Sequence, residues 1–494
     1  MPNKIDSNIT GLRWTEETSL KVLPGSPVWT PLEPNSYNDF GAQVTTVARN
    51  PINANRQRKK GVVTDVDASG AFNMDITQKN AMDILPGFFC AAWRKKSEVT
   101  ALASVTTGPN TYTKAAGLDT YTAADIVFAE GFTNPANNGV KDVTTATATV
   151  LTVSQTLVAE GSPPATAKIT RVGATLVVAT ADITTSGGYF RLNRASGAKD
   201  YTTFGLIPGE WVWLGGDAVG TKFVTAGNSG FCRVRAVAAG YIEFDKVPTG
   251  MANETGTGIT LKIYFGNAIK NELSGLIVDK SYQLERSLGS AGYQYLTGAV
   301  ANTLDTNIGT ADKINIDMGF LACDEEQVLT GARKSGTFPA LVEADAFNTS
   351  SDFSRIRMAA AATPQTALMT FFTEFKLTID NGASAVKAVA NVGAVDISKG
   401  DFSVSGTFTA LFSDIASCQA VRNNTAVTFD FAVCKNNAGI LLDVPYVALG
   451  DGRLNVVKDQ PITIPLTADA AEDPTLHHTA LLMNFSYLPS AAEA

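Results

Sequence analysis

Residues 65–72 read Asp65-Val66-Asp67-Ala68-Ser69-Gly70-Ala71-Phe72, and residues 401–408 read Asp401-Phe402-Ser403-Val404-Ser405-Gly406-Thr407-Phe408. Asp, Ser, Gly and Phe recur at four of the eight positions, and apolar residues coincide at two more. Both stretches alternate as a strand does, with successive side chains on opposite faces. A glycine inside such a pattern marks a bulge or a close backbone approach. Each stretch leads within a few residues into a short helical pattern, at 77–85 after the first and roughly 413–421 after the second. Thr77 is placed to cap the first helix, which runs through Ala81, Met82, Ile84 and Leu85, and Pro86-Gly87 to stop it. A strand and helix that recur together predict a duplicated fold.

Working outward, period-two alternation dominates. Phe375, Leu377 and Ile379 alternate with Lys376 and Thr378 before Asp380-Asn381-Gly382 turns the chain. Val427, Phe429, Phe431 and Val433 alternate with Thr428, Asp430 and Ala432, and Lys435-Asn436-Asn437 leads into a partner strand at 439–449. Residues 282–286 and 314–318 read as further strands. Between about 101 and 268 the texture changes to Ala, Thr and Gly with sparse charge. Two stretches there look alike. One runs from Gly131-Phe132 through Asn137-Asn138-Gly139 and Val143 to Leu151-Thr152-Val153. The other runs from Gly215-Gly216 through Asn228-Ser229-Gly230 and Val234 to Ile242-Glu243-Phe244. Short strands pinned by such turns suit a small barrel or sandwich.

The expected fold is mainly β, a duplicated sandwich or barrel with short flanking helices and a small all-β insertion. The first copy takes 1–100 and 269–335, the two-part insertion 101–268, a linker 336–370 and the second copy 371–494. An insert of this kind should sit on the outside and be removable.

Composition narrows the function. Of the 494 residues 17% are charged and 45% hydrophobic, so a packed core is expected. The net charge of −8 does not suit a protein that grips nucleic acid, which needs concentrated Lys and Arg. No stretch approaches the roughly 18 apolar residues of a membrane span, and Met1-Pro2-Asn3-Lys4-Ile5-Asp6 has no apolar signal core. The five cysteines, Cys90, Cys232, Cys323, Cys418 and Cys434, form no CxxC pair and read as reduced, buried thiols of a protein assembled in the cytosol.

Catalytic constellations are missing as well. The only histidines, His477 and His478, are adjacent and would point to opposite faces of a strand. No nucleophile elbow or phosphate-binding loop accompanies them. Asp324-Glu325-Glu326, beside Val328-Leu329, reads as the solvated start of a short helix. No enzyme, cofactor or metal site is expected, and a glycan hydrolase lacks marked paired carboxylates. Trp211-Val212-Trp213 reads as the alternating faces of one insertion strand, with a sugar-binding platform the alternative.

Several short motifs together resemble a phage tail tube protein, the major tail protein of long non-contractile tails. They are Trp14-Thr15-Glu16-Glu17 with Leu23-Pro24, the extended Val44-Thr45-Thr46-Val47-Ala48-Arg49, and the basic loop Arg56-Gln57-Arg58-Lys59-Lys60. The strand at 66–74 leading to Leu85-Pro86-Gly87-Phe88-Phe89, the insertion's Asn137-Asn138-Gly139 with Val143, Tyr295-Leu296-Thr297-Gly298-Ala299-Val300, Val444-Pro445-Tyr446-Val447 and Lys458-Asp459-Gln460 add to it. The resemblance implies a tube domain of two antiparallel sheets with a flanking helix, whose inner sheets join neighbours into a barrel around a DNA channel. Six such domains make the usual ring, so a duplicated chain implies a trimeric, pseudo-hexameric one. It also implies stacking with like rings, contact with tape measure and tail terminator or tip proteins, and a place in the virion tail. DNA would pass without sequence-specific binding, eased by like charge. For Arg56, Arg58, Lys59 and Lys60 three readings stay open: a solvated hairpin tip, a contact to the adjacent ring, or DNA contact. The competing class is another virion or surface β-protein, such as a decoration protein or a host-binding adhesin.

Overall fold

The computed structural model describes residues 4–52, 54–80, 82–176, 182–194 and 199–493. Half of the chain is strand, arranged in two large antiparallel sheets and one small two-stranded sheet. In the largest sheet, strands Pro34–Arg49, Lys59–Asp75, Asn315–Ala322 and Tyr293–Gly309 lie side by side in that order. Strands Phe372–Asp380, Ser403–Leu411, Thr463–Ala470 and Ala438–Asp451 lie in the same relation. The correspondence continues beyond these eight strands. Tyr282–Ser287 pairs Tyr293–Gly309 and Gly11–Glu16, which pairs Thr30–Leu32. Val427–Lys435 likewise pairs Ala438–Asp451 and Phe353–Ala360, which pairs Ala367–Met369. A short helix, Leu85–Phe89 or Ile415–Arg422, follows the motif strand each time.

Register follows the same rule. Phe72 stands opposite Tyr37 and Met318, and Phe408 opposite Phe375 and Leu466. Both phenylalanines are buried in one continuous core. Gly70 and Gly406 are glycines for a packing reason. A Cβ on Gly70 would lie 2.6 Å from Leu296 Cδ1, and one on Gly406 2.9 Å from the Lys376 carbonyl oxygen. The two repeats join edge to edge, residues 303–309 pairing antiparallel with 374–380. Lys376 Nζ reaches Asp305 Oδ2 across this seam at 2.8 Å.

Three expectations need correction. The first helix is Leu85–Phe89, not 77–85. Pro86 fits its second position because the first helical turn needs no N–H from that residue. All five residues are buried, and Phe88 packs edge-on against Phe320 at 5.2 Å. Thr77 caps only a turn, its Oγ1 accepting from the Lys79 and Asn80 N–H groups, and Ala81 lies outside the described residues. Residues 353–360 and 367–369, expected as linker, are strands of the second repeat, the first paired with Val427–Lys435 and the second with the first. Asp324–Val328 is a strand on 293–297 rather than a helix start, because the ladder there still has an open side.

The insertion forms the second large sheet. At its centre Lys168–Leu176 pairs with Leu261–Phe265, flanked by Asp125–Glu130 and Trp211–Leu214. Its two lobes share a turn built from one buried asparagine and one glutamate. Asn137 Nδ2 donates to Glu160 Oε2 at 2.9 Å while its Oδ1 accepts from Val158 N. Asn228 Nδ2 donates to Glu254 Oε2 at 2.8 Å while its Oδ1 accepts from Ala252 N. Each glutamate also accepts from two backbone N–H groups, those of Thr133 and Asn134 or of Val224 and Thr225.

Candidate assembly surfaces

The seam strands give the molecule two faces. Phe72, Met318, Leu304, Phe375, Phe408 and Leu466 point into the core. Alternate side chains point to the opposite face, and there they are polar. Asn73 and Asn307 donate to opposite oxygens of Asp317 at 2.8 and 2.7 Å, and Asp305 meets Lys376 and the Thr378 hydroxyl. Glu374, Asp380, Ser405, Thr407, Thr467 and Asp469 continue it across the second repeat. Carboxylates outnumber the one lysine, Lys376, among these residues.

At each end of this face an edge is open. Among the described residues, Pro34–Arg49 pairs only with Lys59–Asp75. Ladder pairing between Ala438–Asp451 and Val427–Lys435 ends at Val447, so the following residues are bonded on one side only, to Thr463–Ala470. Open edges invite another strand.

The repeats differ in the arm between their first two strands. In the first repeat the ladder continues past the rest of the sheet, residues 43–49 against 59–67, roughly 20 Å at strand rise. Val44, Val47, Val62 and Val63 on this arm are exposed, and Arg56, Arg58, Lys59 and Lys60 crowd its tip, all exposed. In the second repeat Gly382 takes φ +55°, a left-handed conformation suited to glycine. The arm then folds back as Ser384–Lys387 and Ala394–Ser398. Ala394 and Ile397 bury against Val300 and Cys323 of the first repeat. Lys387 meets Asp65 and Asp67, and the side-chain hydrogen bond from Lys387 holds the Asp65 carboxyl below its usual range. Asp65 and Asp401, equivalent in sequence, are therefore used differently: among the described residues no cation meets Asp401.

Sequence alternation missed a cluster of buried charges. Asp430 and Asp443 sit on adjacent strands of the second repeat, facing the insertion rather than solvent. Lys246 Nζ lies 2.7 Å from Asp443 Oδ1 and 3.0 Å from Asp430 Oδ2. Arg233 Nη1 reaches Asp443 Oδ2 at 3.0 Å, Trp211 Nε1 donates to the same oxygen at 3.1 Å, and Arg355 pairs with Asp430. Burial by itself would raise both carboxyls; Arg355 and Lys246 for Asp430, and Lys246 and Arg233 for Asp443, outweigh it and hold both below their usual range. A shared apolar cluster surrounds them, with Trp211, Trp213, Phe231 and Tyr264 packed on Leu441, Met483 and Phe485. The two tryptophans are thus buried, which removes a sugar platform. The only legible signal was an aspartate inside each of two very apolar strands.

His477 and His478 precede the strand Leu481–Phe485, and His478 is buried against Gly209 of the insertion. Burial pushes its pKa down to about 4. Among the described residues no group of His, Cys, Asp and Glu could hold a metal, and no helix is long and apolar enough to cross a membrane.

A search of curated proteins gives no match. The family model described as phage tail tube protein matches residues 7–470, nearly the whole chain, both repeats and the insertion included. The chain therefore belongs to the phage tail tube protein family: it is a non-enzymatic structural component of the virion tail, which self-assembles into the tail tube.

Proposed function

We propose that three chains close into each ring of the tube, every chain filling two of six equivalent positions. The matched topology of the two repeats supports this reading most directly. The internal seam then serves as the pattern for the seams between chains: the residues after Val447 of one chain receive the Pro34–Arg49 edge of the next. Carrying the internal register over places residues 450–453 beside 40–43. Closing the sheet removes both open edges, and fixing two positions in one chain lowers the number of bodies that must meet.

The polar face carrying Asp305, Asp317, Glu374, Asp380 and Asp469 then lines the channel. Its like charge keeps DNA from adhering as it slides through. The basic arm tip with Arg56, Arg58, Lys59 and Lys60 points beyond the ring and engages acidic groups of the adjacent ring; tape measure and terminator or tip proteins meet the tube's interior and ends. The insertion, 101–268, rides outside on the second repeat, and the tube domains divide as 1–100 with 269–335 and a second copy ending at 494. Ser69 and Ser405 mark equivalent places on the two motif strands. Electron microscopy of the purified protein tests the reading: stacked annuli around an open channel support it, and persistent monomers at high concentration count against it.

A further inference from the structure

The seam is not the only contact between the repeats. Just before its first strand, the second repeat sends a residue back onto the first. Phe347 inserts at the end of the first repeat's sheet, where its N–H donates to Ile76 O at 3.2 Å and its carbonyl accepts from Ile314 N at 2.9 Å. Ile76 N in turn donates to Ile314 O at 3.0 Å. The Phe347 side chain is 1% exposed and joins the main core.

The second repeat has the same end without the plug. By the register of the two repeats, Phe412 corresponds to Ile76 and Ile462 to Ile314. Phe412 N donates to Ile462 O at 3.0 Å, matching the bond from Ile76 to Ile314. Among the described residues, neither Ile462 N nor Phe412 O meets a backbone partner. Around them lie exposed apolar side chains: Phe371, Leu411, Ile415, Leu454 and Val456, with Ile462 itself 37% exposed. A patch of this kind marks a contact, and unpaired backbone groups at its centre ask for an extended chain.

The chain supplies such a segment once more, at its own start. Phe347 precedes Asn348, whose side chain accepts from Ser350 N in a short turn, and the strand Phe353–Ala360 follows. Ile5 precedes Asp6, whose side chain accepts from Asn8 N in a short turn, and the strand Gly11–Glu16 follows. The apolar residue stands at the same distance before its strand both times, so both tails have the same reach. Phe347 plugs the repeat that lies across the seam from its own. Ile5 is 43% exposed, and among the described residues its backbone meets no partner.

We infer that Ile5, in the tail at 4–9 of one chain, inserts between Phe412 and Ile462 of the neighbouring chain in the same ring. There its N–H and carbonyl meet Phe412 O and Ile462 N. The inference rests on the ring proposed above, since only a neighbour joined through the open edges brings this tail to that site. It makes each seam between chains a double contact, strand edge plus plug, as the internal seam is.

A double variant, Ile5→Cys with Ile462→Cys, assembled into tubes and treated with a short bismaleimide, tests it. Denaturing gels should show covalent dimers and trimers, with the link mapped between the two introduced thiols, while the wild type with its native cysteines shows none at those positions. Tubes that form but yield only monomers, or species larger than trimers that would place the contact between rings, overturn the plug and leave the ring reading standing. Failure of the wild-type protein to form any ring overturns both. Separately, Ile5→Asp should leave the melting of the unassembled chain unchanged and raise the concentration needed for assembly at least tenfold; unchanged assembly would contradict the inference.

Discussion

The two repeats have the same strands in the same order, yet one has its sheet end covered where the other leaves it bare. The first repeat has its sheet end closed by Phe347 and its Asp65 neutralised by the second repeat's folded arm. The second repeat keeps a bare apolar end around Ile462 and, among the described residues, an Asp401 that meets no cation, but carries the buried charge cluster that holds the insertion. The contrast teaches that one strand order can serve two different duties within a chain. Even their small-residue contacts are mirrored. Gly319 faces the hydroxyl of Thr303 in the first repeat, whereas Gly450 faces that of Thr467 in the second. Glycine and threonine have exchanged strands while the pair was kept.

The largest effect should come from Lys246. Lys246→Met removes the cation shared by Asp430 and Asp443, and an uncompensated buried charge costs about 3–5 kcal/mol. Chemical denaturation should register that loss; a change below about 1 kcal/mol would show that Arg233 and Arg355 suffice. The same cluster corrects the expectation of a freely removable insert. Deleting roughly 102–266 would strip Asp443 of Lys246 and Arg233 and bare Leu441, Met483 and Phe485. Soluble protein is expected only when those positions are redesigned as well.

His478 should matter next, and only in acid. Its folded pKa of about 4 lies below the ordinary value of 6.5, so between those values the unfolded chain binds a proton that the folded one does not. Stability is then fully present above pH 6.5 and falls as the pH drops toward 4, by up to about 3 kcal/mol. Melting followed across this window should flatten in His478→Gln. An unchanged slope would assign the acid sensitivity to other groups.

How far the sequence revealed this can be read from particular residues. The Asp-x-x-x-Ser-Gly-x-Phe match was legible because Gly70 and Gly406 are packed against neighbours that leave no room for a Cβ. The repeated Asn turns of the insertion were legible for a similar reason, since Asn137 and Asn228 each satisfy buried backbone groups. Asp430 was not, because alternation assigns a face but cannot say whether that face meets solvent or another lobe. Nor was the first helix, whose Pro86-Gly87 reads as a stop in isolation and becomes a start once its five residues are buried.

A third, smaller effect sharpens the match itself. Gly406→Val would drive a side chain into the Lys376 carbonyl and Leu377, for a loss of about 2 kcal/mol typical of overpacking. Ser413→Ala, just before the second helix, should change stability by under about 0.5 kcal/mol. Equal effects would mean that the repeated glycine carries no structural role. The smallest effect should be at the bend of the second arm. Gly382→Ala puts a Cβ on a left-handed backbone, costing about 1 kcal/mol, and should raise protease cutting within 384–398 without unfolding the core. Cutting as slow as in the wild type would show that the arm is held by its contacts rather than by the glycine.

In the proposed ring one chain occupies two equivalent places. Rotational symmetry analysis of assembled tubes by cryo-electron microscopy tests it most directly. The expected result is three chains per ring, six similar tube domains, and exact three-fold but only approximate six-fold symmetry, broken by the insertion and by the unlike arms. Six chains in a ring would contradict it, leaving the tube itself in place but the duplication without its function.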